Sequence, residues 1–243
     1  MRHQAVIAEL RARIAEVEGV NDRHAALPFG IADIDGRLPG GGMKLGALHE
    51  ILGGPDLADD ASATIFLTGI LARLEGPVFW CMRWRDLFAP ALHLAGLHPD
   101  RVIHVEAGSD ANVLLAMEEC LRHAGLAGVV GEIGKYSTTA SKRLQLAAEG
   151  SGVPAFIFRR AAKHDATAEG TAAVKRWRIA AAPSEALGVP SLGRPRWQVA
   201  LERVRGGNPH SWIVEGCDAQ GRIGLRAALV DRPAAAEDRQ VAA

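Results

Sequence analysis

The sequence predicts an α/β fold: a mostly parallel twisted sheet that continues into antiparallel strands. From Phe29 to Phe158, strand-like runs alternate with helical ones, and strands separated by helices of that length call for right-handed βαβ crossovers. After Lys163 the strand-like runs follow one another through turn signals such as Gly206-Gly207-Asn208-Pro209 and Asp218-Ala219-Gln220-Gly221, without helices between them. The 243 residues, 48% hydrophobic and 23% charged, suffice for one large core and match a globular composition.

Each element has its own signal. Val6, Leu10, Ile14 and Val17 recur at helical spacing, so residues 1–20 hold an amphipathic helix, ended by Gly19. Its apolar face serves either its own domain or another subunit. Asn21 to Pro28 reads as a linker. Gly46 to Leu52 is strand-like and runs into a glycine turn, followed by the apolar helix Ile65 to Leu71. Strands then alternate with helices: Val78–Cys81, helix Leu87–Gly96, Arg101–Val105, helix Ala111–Ala124, Gly128–Ile133, helix Thr138–Glu149 and Pro154–Phe158. Ser109 or Asp110 is the expected cap of the helix from Ala111. Val174–Ala181, Trp197–Arg205, Ser211–Glu215 and Ile223–Val230 read as the antiparallel strands, expected beyond Val174. Residues 29–230 thus form the core with its extension, and 231–243, rich in Ala and charge, read as a disordered tail.

Several function classes lose support at this level. Basic and acidic side chains number 28 each, so no global field steers the chain to nucleic acid or membrane. Cys81, Cys120 and Cys217 are odd in number and far apart, which suits a reducing cytoplasm. No run reaches the roughly 18–20 apolar residues that span a bilayer. His93, His98 and His104 are spaced by five and six, which puts no two imidazoles on one helical face, and no metal is expected.

The layout of strand, Gly53-Gly54 turn and helix is that of a P-loop ATPase, but its chemistry is missing. A working loop, G-x-x-x-x-G-K-[ST], needs the Lys for the β/γ-phosphates and the hydroxyl for Mg²⁺. Here no Lys or Arg occurs between Lys44 and Arg73. The segment Gly53, Gly54, Pro55, Asp56, Asp59, Asp60 instead carries negative charge where phosphates would lie, and Ser62 and Thr64 lack a preceding Gly-Lys.

Phe29-Gly30-Ile31-Ala32-Asp33-Ile34-Asp35, then Leu38-Pro39-Gly40-Gly41-Gly42 and Gly46-x-x-x-Glu50-Ile51, resembles the approach to the first core strand of RecA-type recombinases. Together with Leu48-His49-Glu50-Ile51 and Trp197-x-Val199-x-Leu201-x-Arg203-x-Arg205-Gly206-Gly207, the chain is similar over most of its length to the ImuA family, RecA-like accessory factors of bacterial damage-induced mutagenesis. The resemblance implies a RecA-like core and a cytoplasmic role in the SOS response. It also implies partnership with an ImuB-type Y-family polymerase relative and an error-prone replicative-type polymerase, with RecA as a further contact. Where RecA-type ATPases end the second core strand in an acidic residue, this chain has Trp80-Cys81-Met82-Arg83, and an Arg is never a general base. Glu132 stands at the Walker B position as a lone carboxylate, and Arg159-Arg160 replaces the polar pair that senses the γ-phosphate. The expectation is a pseudo-ATPase without catalytic residues or cofactor. The alternatives are a divergent ATP-dependent repair or recombination ATPase, and a SulA-type division inhibitor, for which the RecA-like front half is too long.

One segment has a local charge excess. Arg159, Arg160, Lys163, Lys175, Arg176, Arg178, Arg194, Arg196, Arg203 and Arg205 face only Asp165, Glu169, Glu185 and Glu202, with Trp177 and Trp197 among them and Trp212 just after. Basic strands with interleaved aromatics suit single-stranded DNA or a protein partner. Strand alternation, which sets Trp177 opposite Arg176 and Arg178, equally suits a charged edge over a Trp core.

Overall fold

The computed structural model describes residues 24–160, 170–184 and 193–225. The helix expected at Val6, Leu10, Ile14 and Val17 and the tail at 231–243 lie outside them. An eight-stranded sheet runs through the centre. Its strands are β3 (Leu48–Leu52), β4 (Val78–Met82), β5 (Val102–Glu106), β6 (Gly128–Glu132), β7 (Ala155–Arg159), β8 (Lys175–Ala182), β9 (Arg196–Val204) and β10 (His210–Glu215). Their spatial order is β10-β9-β8-β3-β7-β6-β4-β5. A separate two-stranded ribbon pairs β1 (Ala26–Leu27) with β2 (Met43–Lys44). The helices are α1 (Ala32–Asp35), α2 (Leu57–Ala72), α3 (Ala89–Leu94), α4 (Asp110–Cys120) and α5 (Thr138–Ser151).

Every residue of β3 and β7 is buried, because helices cover both faces of a parallel sheet and leave no polar side. On one face Phe66, Leu67 and Ile70 of α2 pack with Trp80, Phe156 and Trp177. On the other, Val113 and Met117 of α4 and Leu144 and Ala148 of α5 meet Val129 and Ile157. Ser109 caps α4, its hydroxyl accepting from Asn112 N at 3.3 Å. Asp110 is already helical, and its Oδ2 accepts from Gly134 N and Lys135 N at 3.1 Å each. The segment before the first core strand is a compact knot: the Asp35 carboxylate accepts from the amides of Phe29, Gly30 and Ile31. That turn drives the Phe29 ring to 6.1 Å from Phe66 and 5.6 Å from Trp177, centroid to centroid.

Two expectations need correction. The antiparallel part does not begin at Val174, since β8 pairs parallel with β3 and, within the eight-stranded sheet, only β8–β9 and β9–β10 are antiparallel. The connection from Arg159 to Lys175 exceeds the dozen residues that a parallel crossover needs. The run from Ile223, read as a strand, gives only an isolated bridge between Glu215 and Gly224 as far as Leu225; its remainder lies outside the described residues.

Candidate functional site

The parallel strands end on one side at the loop Gly53–Asp56, at Glu132 and at Arg160. The loop is short because α2 begins at Leu57. Counted from Gly53 in the phosphate-loop pattern, Asp59 falls at the Lys position and Asp60 at the Ser/Thr position. Both carboxylates fold back onto the loop. A Cβ on Gly53 would lie 2.0 Å from Asp60 Oδ1, and one on Gly54 would lie 1.9 Å from Asp59 Oδ2. Only glycine leaves room for them. Asp59 Oδ1 also accepts from the Ala181 amide at 2.8 Å, tying α2 to β8. The hydroxyls of Ser62 and Thr64 turn away, donating to the carbonyls of Ala58 and Asp60 at 2.7 and 2.8 Å. The carboxylates of Asp59 and Asp60 therefore occupy the space beside the Gly53–Gly54 turn.

Beside the loop, Glu132 Oε1 accepts from Trp80 Nε1 at 2.7 Å and from Arg160 Nη2 at 2.9 Å. Arg160 Nη1 reaches Asp86 Oδ2 at 2.6 Å. Burial pushes the Glu132 carboxyl above the usual range, while the Arg160 guanidinium and Trp80 indole pull it back. Glu132 thus stands in an ion-paired corner. Deeper, Glu50 is fully buried; its Oε2 accepts from Arg176 Nε at 2.7 Å and its Oε1 from the Tyr136 hydroxyl. The Tyr136 oxygen in turn accepts from the Thr171 hydroxyl at 3.2 Å. This network pins the loop after β6 to the middle of the sheet.

The basic, Trp-bearing segment does not form the expected stacking surface. Trp177, Trp197 and Trp212 are core residues, 0%, 3% and 5% exposed, because α2 and the knot at Phe29 cover the face on which they stand. Trp212 Nε1 donates to Asp33 Oδ2 at 2.6 Å. Arg159 and Arg176 are buried, Arg178 pairs with Glu202 and reaches Gly53 O at 3.3 Å, and Arg160 is engaged with Asp86 and Glu132. Arg203 is exposed and Arg205 half-buried, each also donating to a carbonyl, of Thr171 and Ala172 respectively.

What the sequence reading missed lies against the filled loop. Leu57 at the start of α2 is 88% exposed, Phe88 before α3 is 70% exposed and Trp84 after β4 is 62% exposed. Leu57 and Phe88 flank a groove of ≈ 320 Å³ floored by Ile65, Leu87 and Leu92, with Asp60, Asp86 and Arg160 at its edge. Asp86 and Arg160 also border the smaller hollow that holds Trp84 and Glu132. Exposed aromatic and aliphatic groups gathered around a groove mark an interaction surface. Three large apolar residues in turn-like sequence after strand ends were the available signal.

Known proteins place the chain. It is 40% identical over 209 residues to Protein ImuA of Caulobacter vibrioides, strain NA1000 / CB15N, covering 79% of this chain and 84% of that protein; Protein ImuA of strain ATCC 19089 / CIP 103742 matches to the same extent. The chain belongs to the ImuA family. Among solved structures, the RadB recombinase superposes with a TM-score of 0.56 at 16% identity, over 81% of this chain and 98% of that one, so this ImuA-family fold is RecA-like. No family model matches the sequence. ImuA membership and the RecA-like fold together make this a RecA-like, mutagenesis-associated protein. No described helix is long and apolar enough to cross a membrane.

Proposed function

We propose that this protein is a non-catalytic adaptor of damage-induced translesion synthesis, a RecA-like scaffold that binds an ImuB-type polymerase relative and an error-prone replicative-type polymerase. One observation carries the reading: the carboxylates of Asp59 and Asp60 lie against Gly53 and Gly54, where an ATPase would hold phosphates. A trianionic or tetra-anionic nucleotide entering there meets like charge in a partly desolvated site, where repulsion is poorly screened. The groove between Leu57 and Phe88 gives the same end of the sheet an alternative use, with apolar anchors for a protein chain. A protein partner is better supported than single-stranded DNA, because the tryptophans that would stack bases are in the core. RecA contact belongs to the same proposal, as does a cytoplasmic SOS role.

The test is capture of the two polymerases from DNA-damaged cells by the full chain and by its Phe88→Asp variant. The variant is expected to lose most of the capture while its melting temperature stays put, since an exposed substitution changes stability by about 0.5 kcal/mol or less. Undiminished capture by a folded variant would remove the groove from the proposal.

A further inference from the structure

Two of the three cysteines meet on the sheet face that α4 and α5 cover. Cys81 and Cys120 are free thiols, Cys81 buried in β4 and Cys120, the last residue of α4, half-buried. They are far apart in the chain, and only the fold brings them together. Alternation along β4 sends Trp80 and Met82 into the core on the α2 side and Cys81 to the opposite side, among Val113, Met117 and Val129. Cys81 stands beside Gly131 of β6 in the sheet. The helix α4 packs on both strands, with Met117 pressed so closely onto Gly131 that a Cβ there would overlap Met117 Sδ. Residues three apart share a helix face, so Cys120, one turn beyond Met117, also turns toward the sheet and packs against the core cluster that contains Cys81. The Cys81 thiol donates a hydrogen bond to the Cys120 sulfur. Cys217, the third thiol, packs on the other face of the sheet, where its Sγ donates to Ile65 O at 3.6 Å.

A single buried thiol is inert, but this pair has what a disulfide requires: two sulfurs in contact on packed elements, one of them within reach of solvent. The shared hydrogen bond sets their order. Donating it holds the proton on Cys81, burial adding to the effect, and accepting it lowers Cys120 from the usual thiol range, against burial and the Glu119 carboxylate. We propose that Cys81 and Cys120 form a dithiol that peroxide oxidises to a reversible disulfide, with Cys120 the attacking sulfur and Cys81 the resolving one. In the first step the Cys120 thiolate attacks one peroxide oxygen, the O–O bond breaks, and the other oxygen takes up a proton and leaves as water, giving Cys120 sulfenic acid. In the second the Cys81 sulfur attacks the Cys120 sulfur, the S–O bond breaks, and the hydroxide leaves with the Cys81 proton as a second water. Two thiols are oxidised and one hydrogen peroxide is reduced to two waters. The C-terminus of α4 disfavours a thiolate at Cys120, so the reaction is slower than at a thiol on a helix N-terminus. Cysteines of this kind give transient disulfides in otherwise reducing surroundings. The site is independent of the adaptor reading, because it uses none of the residues around the filled loop or the groove at Leu57 and Phe88.

Mass spectrometry of the full chain after exposure to millimolar hydrogen peroxide tests it, with samples quenched at intervals by an alkylating reagent in denaturant. The expected product, formed over minutes to hours, is a monomer that has lost two hydrogen atoms. Its digest should contain one cross-link, between the Cys81 and Cys120 peptides, with Cys217 still open to alkylation and the cross-link reversed by dithiothreitol. In urea, where the fold no longer selects partners, the three thiols are expected to pair without preference. Cys81→Ala removes the resolving sulfur and is expected to stop at Cys120 sulfenic acid, trapped as its dimedone adduct. Cys120→Ser, at a half-buried position, is expected to give no cross-link and to leave Cys81 reduced, and it keeps the test open if the buried Cys81→Ala variant fails to fold. Oxidation of wild-type Cys120 to sulfinic acid without a cross-link would show that the two sulfurs do not reach each other and would overturn the proposal. So would a cross-link through Cys217 or to a second chain in place of the expected one, scrambled pairing in the folded chain, or thiols that all remain reduced.

Discussion

Gly54→Ala probes the filled loop directly. Gly54 does not adopt a positive φ, so its backbone can accept an alanine, and the change would by itself stabilise by about 0.4–1 kcal/mol through the unfolded chain. The space cannot accept it. The new Cβ would lie 1.9 Å from Asp59 Oδ2, 2.6 Å from its Cγ and 2.8 Å from its Cβ, so either the carboxylate swings out or the first turn of α2 shifts. Overpacking of this kind costs about 1–3 kcal/mol, and a displaced Asp59 also gives up its bond to the Ala181 amide. A net loss of about 2 kcal/mol follows, visible as a melting point lower by about 4–8 °C in a chain of this size. Asp59→Ala removes the two nearest atoms, so Gly54→Ala in that background is expected to cost at least about 1 kcal/mol less, a coupling well above the additivity error of independent sites. Urea unfolding followed by tryptophan fluorescence supplies the four stabilities. A neutral Gly54→Ala, or strictly additive effects with Asp59→Ala, would show that the carboxylate does not occupy the loop.

Other consequences follow from the same geometry. Glu50→Ala deprives the buried Arg176 guanidinium and the Tyr136 hydroxyl of their common acceptor and is expected to cost about 3–5 kcal/mol in urea unfolding, whereas Glu50→Gln, which keeps an acceptor for Tyr136, is expected to cost less. His49 is buried, its Nε2 donating to Lys44 O at 2.7 Å, and burial with Lys175 and Lys44 nearby holds it down at about 3 against 6.5 when free. Above pH 6.5 it contributes no pH dependence; as the pH falls below 6.5 the unfolded chain takes up a proton that the folded one refuses. Stability should therefore fall by about 1.4 kcal/mol per pH unit from this group alone, and the His49→Gln variant, compared with the wild type in urea midpoints between pH 6.5 and 5, should lack that slope. Trp80→Phe removes one donor from Glu132 and is expected to raise that carboxyl further, readable as a higher titration midpoint by NMR.

The sheet was largely legible because strands such as Val78–Met82 and Ala155–Arg159 lie between helices and read as near-continuous apolar runs. That the phosphate-loop pattern lacks its Lys was equally plain, being a local fact of the sequence. Counting from Gly53 would also have put Asp59 at its place. The fate of the arginines was not local. Alternation correctly set Trp177 against Arg176 and Arg178, but whether the Arg side faces solvent depends on which strands lie alongside. Glu50 stands opposite Arg176 on β3, and Glu202 of β9 reaches Arg178. Those neighbours come from positions 126 and 24 residues away, and only the strand order brings them together. The groove at Leu57 and Phe88 escaped for the same reason, being assembled from the start of α2 and the loop before α3.

The measurement that bears most directly on the adaptor account is titration and turnover of ATP with Mg²⁺ on the full chain, beside its Asp59→Ala variant. The account expects no hydrolysis, and no heat of binding that depends on Asp59 or on the loop it lies against. Micromolar ATP affinity that responds to changes in the Gly53–Thr64 loop, or turnover above the buffer rate, would contradict it and restore the loop as a nucleotide site.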